Sequence, residues 1–166
     1  PNDEINLQIE TVSKENICKI FEKYNVPQKF DLLSVDIDSF DYWVTKEILT
    51  QYQPRVVMVE VNVRFEPDES YRLKDDPNWD WDGVKWYGAS PLAYKKMFNA
   101  VGYTPVYVHV DDIIAIRNDV LKESGFTEPL WEEIYPHSNK NLYNTHTMGG
   151  SKSLVTELNL DEWEEA

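Results

Sequence analysis

Residues 30–44, FDLLSVDIDSFDYWV, carry an apolar run of Leu32, Leu33, Val35 and Ile37 into Asp36 and Asp38, with Asp41 just beyond. A second run, RVVMVEVNV at residues 55–63, places Glu60 and Asn62 in the same way. Alternation by two sets Asp36 and Asp38 on one side of an extended chain, and Glu60 and Asn62 on one side of the next. If the two strands are neighbours, four oxygen-bearing side chains converge at one rim. Crowded carboxylates repel and raise at least one pKa unless a cation or a donor-rich ligand sits among them. An all-oxygen set of Asp36, Asp38, Glu60 and Asn62 suits Mg²⁺ or Ca²⁺, which would orient and acidify a hydroxyl, and Asp36 or Asp38 is placed to act as its base. The structural alternative has Asp38 and Asp41 capping a helix from Tyr42 and Asp36 bonding backbone amides of the rim. For Asp41, capping is the better account.

A second group lies in NWDWDGVKWYG, where Trp79, Trp81, Trp86 and Tyr87 alternate with Asp80 and Asp82. Such a loop could stack on and hydrogen-bond a sugar or polyol. The other account, a lid whose aromatics plug the sheet's exposed face, is the better one. His109 falls in a strand pattern, as a core or boundary residue, and His137 and His146 lack metal-ligand spacing. The single Cys18 excludes an internal disulfide and a cysteine-based zinc site.

These residues need elements to position them. A helix capped by Ser13 would bury Ile17, Ile20, Phe21 and Tyr24 and end at Pro27. Residues 31–37 form an apolar strand covered on both sides, followed by a helix from Asp41 through Tyr52 with Val44, Ile48, Leu49 and Tyr52 inside. Residues 55–63 are the strongest strand. Some 25 residues of loop composition follow, too many for a routine connection. Ser90 and Pro91 open a helix whose face is Ala93, Met97, Ala100 and Val101, and Gly102 closes it. YTPVYVHV and IIAIR, separated by Asp111 and Asp112, demand an antiparallel hairpin. Beyond Asp119 a short helix and then a solvated tail are expected.

With 42% hydrophobic and 13% aromatic residues in 166, the chain has the composition of a folded domain. Thirty acidic against 16 basic residues give a net charge of -14, which disfavours nucleic acid and anionic membrane surfaces as partners. No apolar run reaches the roughly 20 residues needed to span a bilayer. The compartment is left open.

Strand, helix, strand, helix and a terminal antiparallel pair resembles the second half of the Rossmann-like domain of S-adenosylmethionine-dependent methyltransferases. DLLSVDIDSFDYWV, PRVVMVEVN with FEPDE, and WDGVKWYGASPLAYKKMFNAVGY resemble the FkbM-like members of that class, over residues 11 to 120. The resemblance implies an α/β fold with a mostly parallel sheet ending in an antiparallel hairpin. It also implies methyl transfer to a hydroxyl of a glycan or small metabolite. The family's glycine-rich turn and ribose-binding acid have no counterpart before Ser13, and none of the six glycines makes such a turn. Residues 1–125 are therefore expected to be a partial domain, with 126–166 an extension, and S-adenosylmethionine to bind only when an N-terminal half is supplied. That half, or another protein chain, would cover the edge of strand 31–37. The alternative is a non-catalytic structural or binding subunit of a larger assembly.

Overall fold

The computed structural model describes residues 4–79, 87–109, 111–135 and 161–166. Its main sheet contains β1 (Leu32–Val35), β2 (Val56–Glu60), β4 (Tyr103–His109) and β5 (Asp112–Arg117), in the order β1-β2-β5-β4. β1 and β2 are parallel, while β5 lies antiparallel to both β2 and β4. A mostly parallel sheet is thus corrected to a mixed one with a single parallel pair among the described strands. The hairpin is the cause, because its second strand inserts beside β2 and reverses two of the three pairings.

Helices α1 (Ile17–Lys23), α2 (Asp41–Gln51) and α3 (Pro91–Ala100) supply the other layer. Val44, Ile48 and Leu49 of α2 and Ala93, Tyr94, Met97 and Phe98 of α3 share one core with Leu33, Val35, Val57, Val59, Ile113 and Ala115. Serine and proline act at the start of α3 as their types dictate: Ser90 Oγ accepts from Ala93 N at 3.2 Å, and Pro91 takes the first helical position. Gly102 follows with φ of 85°, open to glycine at no steric cost. The buried face of α3 turns from the expected one: Tyr94 and Phe98 fill it, and Ala100 and Val101 are exposed. At α1 the N-cap is Asn16, whose Oδ1 accepts from Ser13 N, so Ser13 is not the cap.

β1 is an edge strand, and its burial alternates. Leu33 and Val35 are buried, whereas Leu32 is 57% exposed and Ser34 is exposed. Coverage on both faces is therefore corrected to one. Val56, Met58, Ile114 and Ile116 lie on the same open side, each only partly buried.

The loop-like stretch after β2 contains β3 (Tyr71–Leu73), which pairs antiparallel with β6 (Trp163–Glu165). The acidic C-terminal residues read as a solvated tail are thus part of the fold. Trp163 is 3% exposed and packs with Phe65 and Leu73, against which Phe40, Tyr71 and Trp79 lie. Arg72 joins this second sheet to α2: its Nε donates to Glu164 at 2.8 Å, and its guanidinium stands 4.7 Å from the Trp43 ring centre. α4 (Asn118–Ser124) is the short helix anticipated beyond the hairpin, and α5 (Trp131–Ile134) is a single turn before Tyr135. The Tyr135 hydroxyl donates to the Phe65 carbonyl at 2.6 Å, which anchors the segment after β2.

Candidate functional site

Parallel pairing aligns Val35 with Val59, so the chain leaving β1 at Asp36 and the last residue of β2, Glu60, reach the same rim. The pleat does not bring Asp36 and Asp38 together as expected, because β1 stops at Val35. A turn does it instead. Asp38 has a left-handed backbone with φ of 54°, a conformation Asp tolerates better than most residues.

Asp41 holds that turn. It is fully buried as the first residue of α2, Phe40 being the N-cap, and it makes no helix cap. Its Oδ1 accepts from Ile37 N at 2.8 Å and its Oδ2 from Ser39 N at 2.9 Å. Burial pushes its carboxyl above the usual range, and the two amides oppose the shift. The capping account is corrected to a turn-bracing one. Asp41→Ala is expected to cost about 2 kcal/mol or more, because two amides near the interior lose their acceptor. Urea unfolding checks it.

Carboxylate oxygens of Asp36, Asp38 and Glu60 lie within 4.8 Å of one another, the two aspartates exposed and Glu60 only 7% exposed. The Glu60 pKa is pushed up to about 8, first by burial and then by the charges of Asp41, Asp36 and Asp38, against the hydrogen bond from Tyr87. That bond runs from the Tyr87 hydroxyl to Glu60 Oε1 at 2.7 Å. Glu60 Oε2 is buried without a hydrogen-bond partner.

The fourth expected ligand, Asn62, is committed elsewhere. Its Nδ2 donates to the Tyr87 carbonyl at 3.3 Å and its Oδ1 accepts from Arg64 N at 3.1 Å. In the aromatic loop, Trp79 packs edge-on against Phe40 at 5.5 Å, beside the second core. Tyr87 serves Glu60. Asp80, Trp81, Asp82 and Trp86 lie outside the described residues. Sequence reasoning missed Asp112, which sits opposite Glu60 on β5. Burial raises its carboxyl pKa, and the nearby charges of Asp111 and Asp36 raise it further. The signal was present in the hairpin: a strand beginning at Asp112 beside β2 sets that carboxylate against Glu60.

His109 is exposed and stacks beside Tyr107, which corrects its expected core or boundary position. Cys18 is buried, and burial raises its thiol pKa, as befits a packing residue.

Gly88 precedes the α3 cap, and Gly102 and Gly125 follow α3 and α4. None of these three lies in a turn directly after a strand. The other three glycines lie outside the described residues. Among the described residues no helix is long and apolar enough to cross a membrane.

Comparison of the chain with protein-family models, with curated proteins and with solved structures returns no match.

Proposed function

We propose that this chain carries the acceptor side of a Rossmann-like, FkbM-like O-methyltransferase domain. Asp36 or Asp38 would take the proton from a hydroxyl of a glycan or small metabolite. The observation that supports this reading is the sheet: acids gather at the carboxyl ends of a parallel pair, where open α/β sheets bind ligands, and a reversed strand follows beside β2. A base at that rim needs only to reach the acceptor proton, and positioned proton transfer contributes about 10²–10⁴-fold.

A non-catalytic binding or structural subunit is the second reading. It is favoured by the edge of β1, which has no further neighbour among the described strands, with Leu32 exposed and no charged residue in Leu32–Val35, an arrangement that invites a partner chain.

The chain alone is expected to show no S-adenosylmethionine binding in calorimetry. Supplied in trans with a cofactor-binding half, it should transfer labelled methyl groups to a hydroxyl acceptor, and Asp36→Asn with Asp38→Asn should lower the rate about 100-fold or more. Micromolar binding by the chain alone would overturn the division of labour. Absence of transfer to every glycan and polyol tried would favour the subunit reading.

A further inference from the structure

We infer that Asp36, Asp38 and Glu60 form a binding site for a hard divalent cation, Mg²⁺ or Ca²⁺. Two oxygens held by one ion at about 2.1–2.6 Å stand no more than about 5 Å apart, so the three carboxylates are spaced to share one ion without rearrangement of the backbone. Oxygen is the only donor type in the cluster, which suits Mg²⁺ or Ca²⁺ and disfavours soft ions.

The second observation is Glu60 itself. Its side chain is more than nine-tenths buried, one oxygen is oriented by Tyr87, and Oε2 has no partner. A buried acceptor left unmatched is unfavourable, and a cation satisfies it directly. Purely structural duties do not account for the aspartates either. Asp41 alone accepts the Ile37 and Ser39 amides, while neither Asp36 nor Asp38 accepts a backbone amide among the described residues. No ion pair among the described residues reaches any of the three. The exposure of Asp36 and Asp38 leaves the remaining coordination positions open to water or to an oxygen ligand. This site stands on its own geometry and requires no methyl transfer.

Calorimetric titration of the chelator-treated 166-residue chain with MgCl₂ and with CaCl₂ tests the site, with no methyl donor or acceptor present. One saturable event is expected with at least one ion, accompanied by a rise in melting temperature. Asp36→Asn, Asp38→Asn and Glu60→Gln should each weaken it about tenfold or more. Asp31→Asn, just before the opposite end of β1, should leave it unchanged. The two exposed aspartates keep the test valid if the Glu60 variant folds poorly. No saturable binding of either ion up to about 10 mM would overturn the proposal. So would binding that survives in both aspartate variants, because the ion would then sit elsewhere.

Discussion

At pH 8 and without divalent ions, the Glu60→Gln chain is expected to be more stable than the wild type by roughly 2–3 kcal/mol. The same change should weaken cation binding. Glu60 is nearly buried, and its pKa stands at about 8 against an ordinary 4.5. Between those values the unfolded chain has lost a proton that the folded chain retains. Stability contributed by the protonated side chain therefore falls as pH rises through the window and levels off above it. Asp41, also raised by burial, adds a change of the same sign. Glutamine keeps the volume and can still accept from Tyr87, but carries no charge to desolvate. At pH 5 the two proteins should melt nearly together. Urea unfolding of both across pH 5 to 8 gives the comparison, and curves that stay parallel would contradict the assignment of Glu60 as the titrating group.

Trp163→Ala carries the second large effect, a loss of about 3–5 kcal/mol. The indole is 3% exposed, stands 5.0 Å from the Phe65 ring centre and covers Leu73. Its removal leaves a cavity in the small second core and weakens the β3–β6 pairing that sets Arg72 on Glu164. Total stabilities are about 5–15 kcal/mol, so the variant should unfold at markedly lower urea. Glu164→Ala, which removes only a half-exposed ion-pair partner, should cost less than about 1 kcal/mol. Equal, small losses in both would mean that the C-terminal strand does not pack on this core.

Long elements with strong local patterns were legible in the sequence. The apolar face of α2, the Ser90–Pro91 start of α3 and the β4–β5 hairpin all follow from residue type and spacing. The open face of β1 was not legible, because Leu32 and Ser34 differ in polarity and yet share one uncovered side, opposite the face on which the helices of the core pack. β3 and β6 were invisible for another reason. Three-residue strands have no period to detect, and WEE within an acidic stretch has the composition of a solvated tail. Convergence of Asp36, Asp38 and Glu60 was foreseen from two apolar runs ending in acids. Its cause was not: a left-handed Asp38 and a buried Asp41 replace the strand alternation, and a side-chain brace of this kind has no pattern in a single sequence. The partnership of Tyr87 with Glu60 likewise joins residues 27 positions apart.

The cation site is the claim on which the chemistry of the rim turns. An anomalous difference map from a crystal of the chain soaked in MnCl₂ tests it most directly. One peak is expected about 2.0–2.4 Å from oxygens of Asp36, Asp38 and Glu60, with the Tyr87 hydroxyl still on Glu60 Oε1. A map without density between those three carboxylates, in a crystal whose rim is open to solvent, would contradict it.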